Sequence, residues 1–249
     1  TLLMFNSFNL LETFDITFVI PLLLGILFFS AFLLVFIPSK NSKLIKTIAV
    51  FSSFTVFALS LFLWLFFDNS YSRFQFVYDL AWLPASNLTF SLGVDGISLF
   101  LLLLTTLLCA LCILSSWDSV KTYHKEYYIS FLVMEALLVL VFCVRDLLLF
   151  YIFFESVLIP MFVIIGLWGS RERKVRAAYM FFLYTLLGSV LMLLSILYIY
   201  SVVGSTDYEA LLTYSFSFTE QKILFLAFFA SFASKVPMLP VHIWLPEIG

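Results

Sequence analysis

Charged residues are scarce in this sequence of 249 residues. They make up 11% of it, whereas soluble domains carry about 25%, and this excludes an ordinary water-soluble enzyme. The net charge of −2 offers no basic face to a nucleic acid. The two histidines and three cysteines form no metal-ligand cluster or disulfide framework. Because a glycine-rich phosphate loop is also lacking, we predict that this chain holds no cofactor.

Hydrophobic residues, in contrast, make up 63% of the sequence, with 32 phenylalanines and a mean hydropathy of +1.13. Roughly twenty consecutive apolar residues cross a bilayer as a helix, and long uniform runs do not fit the alternating strands of a barrel. We therefore predict an all-α integral membrane protein, a polytopic bundle of six transmembrane helices and a broken seventh. The predicted spans lie at 17–37, 45–67, 96–115, 127–144, 147–168 and 177–203, and the broken seventh begins near 222.

The connection between the second and third predicted helices differs from the other loops. Residues 73–83 alternate partly between polar and apolar side chains, and residues 88–93 follow as Leu-Thr-Phe-Ser-Leu-Gly. Between them, Pro84 and Asn87 bound a predicted turn. This pattern predicts a β-hairpin on the outer surface.

Lysine and arginine are concentrated in alternate loops, and such loops stay on the cytoplasmic side of a membrane. By alternation, nine of the 13 basic residues face one side, while the opposite side collects Asp207, Glu209 and Glu220. We expect the basic loops to face a bacterial cytosol or a mitochondrial matrix, with the amino terminus on the opposite side. The nine residues are Lys40, Lys43, Lys46, Lys121, Lys125, Arg171, Arg173, Lys174 and Arg176.

Three ionisable side chains lie inside predicted spans: Glu135 in the fourth, Glu155 in the fifth and Lys235 in the seventh. Each costs at least about 2.5–3.5 kcal/mol at membrane depth, so each requires a structural or functional reason. A static salt bridge that pins helices together is one interpretation. A group that carries protons through the membrane is the other.

Prolines beside two of these charges favour the functional interpretation. Pro160 removes the helical donor of the carbonyl one residue past Glu155. Pro237 does the same for the carbonyl of Ala233, two residues before Lys235. Broken helices are tolerated at membrane depth where they line a hydrated cavity, and transporters place ion sites at such breaks.

His242 follows Lys235 by seven residues. It fits an interfacial histidine near the start of a helix. It also fits a carrier that takes protons onward from Lys235, because imidazole titrates near neutrality.

Four stretches of the sequence carry a resemblance to a known family. They are residues 146–170, 235–247, 92–99 and 182–189. Together they look like the subunit 4 family of mitochondrial NADH:ubiquinone oxidoreductase, respiratory complex I. Mrp-type cation/proton antiporters share the pattern more loosely. The resemblance covers nearly the whole chain.

This resemblance implies that Glu155 and Lys235 form the central proton-translocating pair and that His242 relays protons onward. Glu135 is a further candidate, which rests only on its position in the fourth span. The resemblance also implies that NADH, FMN, iron–sulfur clusters and ubiquinone are held by other subunits. It places the chain in the mitochondrial inner membrane, among lipids and other membrane-arm subunits, with its basic loops in the matrix and its amino terminus in the intermembrane space.

The chain is shorter than members of that family, which have roughly twice as many helices in two inverted repeats. We expect an amino-terminal half: a three-helix segment with the hairpin at 1–126, and the first part of the antiporter-like repeat at 127–249. We also expect a separate, strongly apolar chain to carry the carboxy-terminal half, with its own buried lysine or glutamate. A truncated sequence is the alternative.

Two other functions remain open. A stand-alone Mrp-type cation/proton antiporter would use the same residues without an electron-transfer partner, and purification free of flavin-containing subunits would favour it. A structural membrane fragment would hold an assembly together without conducting protons.

Overall fold

The computed structural model describes residues 16–71, 73–83, 88–169, 172–236 and 238. A short 3₁₀ turn, Ile16–Phe18, precedes the first helix. Two strands, β1 (Gln75–Leu83) and β2 (Leu88–Val94), lie between the second and third helices. The helices are α1 (Val19–Phe36), α2 (Ser42–Leu65), α3 (Gly96–Ser115), α4 (His124–Cys143), α5 (Leu147–Ser156), α6 (Leu158–Trp168), α7 (Lys174–Val203), α8 (Tyr208–Thr213) and α9 (Phe218–Lys235).

Six segments of the described chain are long and apolar enough to cross a membrane, namely α1, α2, α3, α4, the α5–α6 pair and α7. The predicted bundle is therefore confirmed, and α9 occupies the place of the interrupted seventh span. Helices α2, α4 and α7 each begin three residues earlier than predicted. The reason is that lysine and arginine side chains extend along the helix surface to water, so the backbone stays helical into the basic loops.

The predicted hairpin is also present. Strands β1 and β2 pair antiparallel, with Tyr78 opposite Leu92 and Asp79 opposite Ser91. Leu92 and Val94 are buried against the helices. The predicted turn at 84–87 lies outside the described residues.

One core joins α1, α2, α3, α4 and β2, and a smaller core joins α6 and α7. Lipid tails are as apolar as leucine, so helices in a membrane associate through close packing and hydrogen bonds. Ser60 in α2 and Thr106 in α3 supply such a bond, with their hydroxyl oxygens 2.9 Å apart.

Side-chain caps fix where helices begin near the site described below. Asp95 accepts hydrogen bonds from the first turn of α3 and forms a capping box with Ser98. Asp146 caps α5 through the amides of the two residues beyond Leu147, and it accepts a 2.6 Å bond from the Thr206 hydroxyl. Because α5 is only ten residues long, its capped start sets the position of Glu155 near its end.

Arg145 joins three parts of the structure at the hairpin end of the bundle. Its side chain is 8% exposed, and its backbone amide donates to the carbonyl of Ser91 in β2 at 2.9 Å. Its guanidinium lies 2.7 Å from Glu209 in α8 and 3.8 Å from Asp79 in β1. The sequence pattern indicated only that Arg145 is a basic residue in a loop, and it did not predict these contacts. Helix α8 was not predicted either, because it is too short to give an apolar run.

Replacing Arg145 with Gln should loosen both the hairpin and α8. The substitution removes the cation from two carboxylates that are about half exposed, so we expect a local loss of about 1–3 kcal/mol, between the values for surface and buried pairs. Hydrogen exchange of residues 75–83 and 208–213 measures it. Lys222→Gln, at an exposed position on α9, is the matched control. Unchanged exchange in R145Q would refute this role.

Candidate functional site

The fifth span is irregular at one residue beside Glu155. Helix α5 ends at Ser156 and α6 begins at Leu158, with a turn at Val157. Pro160 lies three residues past the turn and has no amide hydrogen for the regular helical ladder. Val157 nevertheless keeps helical dihedral angles, and its amide donates to the Phe153 carbonyl at 3.2 Å. The structure thus shows a local irregularity, rather than a full break, next to this carboxylate.

Lys235 is the last residue of α9, where a second helix ends. The amide of Val236 donates to the Phe232 carbonyl at 2.8 Å. The amide of Met238 turns back and donates to the Ala233 carbonyl at 3.2 Å. The prediction that the Ala233 carbonyl is free is therefore wrong, because this donor replaces the one that proline lacks. Pro237 itself lies outside the described residues.

The structure brings Glu155 and Lys235 together, although 80 residues separate them in the sequence. The Lys235 Nζ lies 3.7 Å from the Glu155 Oε1. The two side chains are only 17% and 14% exposed, so this is a largely buried ion pair. At an effective dielectric constant of about 20, two charges about 4 Å apart attract by roughly 4 kcal/mol.

Phe154 gives Lys235 two further contacts. The Lys235 ammonium donates a hydrogen bond to the Phe154 carbonyl and lies 3.3 Å from the centre of its ring. The carbonyl oxygen and the face of the ring both attract a cation. The ammonium in turn compensates the negative charge of Glu155.

Polar side chains from α5 and α7 approach the pair. Tyr151 in α5 and Ser189 in α7 both interact with Glu155. Within the described chain, neither carboxylate oxygen of Glu155 has a partner at hydrogen-bond distance, and neither does the buried hydroxyl of Ser231 in α9.

Helices α7 and α9 approach closely beside Lys235. A Cβ atom added to Gly188 in α7 would overlap the side chain of Ser234 in α9. Only glycine at this position permits the close approach. The end of α9 therefore packs directly against α7. The ammonium of Lys235 is thereby kept within reach of α5.

Glu135 is completely buried in α4. Its Oε2 accepts a 2.8 Å hydrogen bond from the hydroxyl of Ser53 in α2, and its Oε1 has no partner within the described part of the chain. Among these residues, no hydrogen bond or ion pair joins Glu135 to Glu155 or Lys235. His242 lies outside the described residues.

Sequence reasoning missed several members of this site. Tyr151 lies four residues before Glu155, a spacing that places the two on one helix face. That spacing is a signal that could have found it. No sequence pattern indicates that the carbonyl and ring of Phe154 bind Lys235, because this contact forms between helices that are distant in the sequence. In the described residues no group of three or more His, Cys, Asp or Glu side chains is arranged to hold a metal ion.

Two family models match the chain in succession. Residues 23–145 match the model described as NADH-ubiquinone oxidoreductase chain 4, amino terminus. Residues 144–248 match NADH:quinone oxidoreductase/Mrp antiporter, TM. The chain belongs to the NADH-ubiquinone oxidoreductase chain 4 family.

Curated relatives of this chain 4 family agree with that assignment. NADH-ubiquinone oxidoreductase chain 4 of Arabidopsis thaliana is 59% identical over 215 residues, which cover 86% of this chain and 43% of the relative. The Prototheca wickerhamii protein is 56% identical over 261 aligned positions, which cover 99% of this chain and 49% of the relative. The chain thus spans about half the length of the curated relatives it matches.

Solved structures share the fold. A chain of respiratory complex I from Thermus thermophilus with bound NADH superposes with a TM-score of 0.79 and 30% identity, over 94% of this chain and 46% of that chain. A chain of the Mrp complex from Dietzia sp. superposes with a TM-score of 0.78 and 16% identity, over 94% of this chain and 25% of that one. The second likeness is one of fold alone.

Proposed function

We propose that this chain is part of a proton-translocating membrane subunit of NADH:ubiquinone oxidoreductase, in which Glu155 and Lys235 carry or control the proton. The observation that supports the proposal is the buried ion pair, 3.7 Å long, at the end of α9 and beside the irregular residue Val157 of the fifth span. A pair that only fastened helices together would not require α9 to end beside it.

The physical basis of proton movement is the mutual dependence of the two charges. While Glu155 is ionised and close, it stabilises the proton on the Lys235 ammonium by the attraction of roughly 4 kcal/mol given above. Separating the charges, or neutralising Glu155, removes that attraction, and 1.4 kcal/mol already corresponds to a tenfold change in an equilibrium constant. The ammonium then releases its proton to the next acceptor. Return of the carboxylate favours reprotonation.

We propose that electron transfer in other subunits changes the distance or charge within this pair and so drives the cycle. NADH, FMN, iron–sulfur clusters and ubiquinone are assigned to those subunits. His242 is the proposed next carrier after Lys235, because an imidazole accepts and donates protons near neutral pH.

The relatives carry further sequence beyond the region that this chain matches. The proposal covers only the part of the proton path held by Glu155, Lys235 and His242. We propose that the carboxy-terminal half supplies the later acceptors and packs against α7 and α9 within the membrane arm. Whether one polypeptide or two carry them is answered by the mass of the subunits in the native assembly.

A stand-alone Mrp-type antiporter is the second candidate, favoured by the fold shared with the Mrp complex of Dietzia sp.. It would purify without flavin-containing subunits. A structural role without proton conduction is the third. It predicts that neutralising Glu155 leaves pumping unchanged.

Replacing Glu155 with Gln should leave assembly intact and reduce NADH-driven proton pumping by about tenfold or more. Glutamine keeps the volume but removes the charge, and even a third of the attraction to Lys235 corresponds to about tenfold in rate. Pumping is measured in sealed vesicles with a pH-sensitive dye. Glu172→Gln, an exposed acid, is the control, and E135Q shows separately whether Glu135 takes part. Normal pumping in E155Q would disprove the proposed role.

We further propose the mitochondrial inner membrane as the location, with the basic loops in the matrix. Protease applied from the matrix side should then cut the loop at 170–176 and spare the segment 204–221, because positively charged loops are retained on that side. Mass spectrometry of the fragments reports the cut sites. The reverse pattern would overturn this topology.

A further inference from the structure

Two adjoining cavities open at the end of the bundle where α2 and α4 begin. One is a cleft of about 640 Å³ between α3, α4 and α6. The other is a cavity of about 370 Å³ between the α1–α2 loop and the α3–α4 loop. Val120 and Lys121 line both cavities, so the two spaces are neighbours on either side of these residues.

The larger cleft is lined by more apolar than polar surface, with three serines on its α3 side. Tyr127 and Phe131 of α4 form one wall, and Ile164, Ile165 and Trp168 of α6 form the other. The indole nitrogen of Trp168 donates a 2.9 Å hydrogen bond to the carbonyl of Thr122. This bond ties α6 to the α3–α4 loop at the mouth of the cleft. The volume lies within the range of about 300–1,000 Å³ that is typical of ligand sites.

The smaller cavity is basic. Lys40, Lys46 and Lys121 line it against a single acid, Asp118. Lys46 is already engaged, since its ammonium donates to the carbonyl of Trp117. Lys40 and Lys121 make no ion pair within the described part of the chain, so their charges are available to a ligand.

Two helix starts reinforce the positive potential of the basic cavity. Ser42 opens α2 and His124 opens α4, and both residues line the cavity. Neither helix has a side-chain cap at its first turn. The free amide groups and the positive ends of both helix dipoles therefore favour an anion here.

From this juxtaposition we infer a binding site for an anionic phospholipid. Its phosphate-bearing headgroup occupies the basic cavity beside Lys121, and an acyl chain occupies the apolar cleft between α3, α4 and α6. A free phosphate ion would use only the basic cavity, and an apolar helix would use only the cleft. An anionic amphiphile would fill both the basic cavity and the cleft. Basic pockets between transmembrane helices are known to bind such headgroups.

The test uses the native assembly in nanodiscs that contain phospholipids with a photoreactive diazirine in the acyl chain. Phosphatidylglycerol and phosphatidylcholine with identical chains are compared, and labelled peptides are identified by mass spectrometry. We expect phosphatidylglycerol to label peptides covering 112–122 and 164–169 several-fold more than phosphatidylcholine. Lys121→Gln should lower this labelling about fivefold, the loss expected for one lysine near an anionic headgroup. Lys43→Gln, an exposed lysine of α2 that lines neither cavity, should leave it unchanged.

Several results would overturn the inference. Equal labelling by the two lipids, or an equal loss in K43Q and K121Q, would mean that the site does not select a headgroup. Removal of the headgroup preference by millimolar inorganic phosphate would indicate a free-anion site. Absence of lipid label, with the cleft residues cross-linked to another protein segment, would indicate a protein occupant. If K121Q fails to assemble, two measurements still test the inference. One is the labelling of Lys121→Arg, which keeps the positive charge, and the other is the comparison of the two lipids in the unmodified assembly.

Discussion

The contact between Lys235 and Glu155 is the interaction on which the rest of the site depends. A single charge at this depth is costly, and the two charges lie 3.7 Å apart. Several neighbouring contacts favour this short distance. Asp146 caps α5 and fixes where Glu155 lies, while the close approach at Gly188 holds α9 against α7. The carbonyl and ring of Phe154 then accept the ammonium.

The two ends of α4 differ in chemistry. At its carboxyl end, Arg145 draws the hairpin and α8 together through Asp79 and Glu209. At its amino end, lysines and two uncapped helix starts surround a cavity that adjoins an apolar cleft. One end is thus closed by internal ion pairs, whereas the other leaves positive charge free for an anion. This difference follows the distribution of lysine and arginine along the chain.

The spans, the hairpin and the two charges of the site could be predicted because each is a local departure from a simple pattern. An apolar run of about twenty residues indicates a helix, and an ionisable residue within it stands out at once. The burial of Arg145, the Phe154 contacts and the Lys121 cleft could not be predicted, because they depend on which helices meet. The Ala233 carbonyl shows a further limit. Proline removes one donor there, but the next free amide, that of Met238, turns back and replaces it.

The central claim is that Glu155 and Lys235 act as one charge-coupled unit during turnover. Infrared difference spectroscopy of the working complex tests this most directly, because it detects a carboxyl group as it gains or loses a proton. The account predicts a carboxyl signal that disappears in Glu155→Gln and shifts in Lys235→Gln, although Glu155 is intact in the second variant. A signal that is unchanged when Lys235 is neutralised would contradict it.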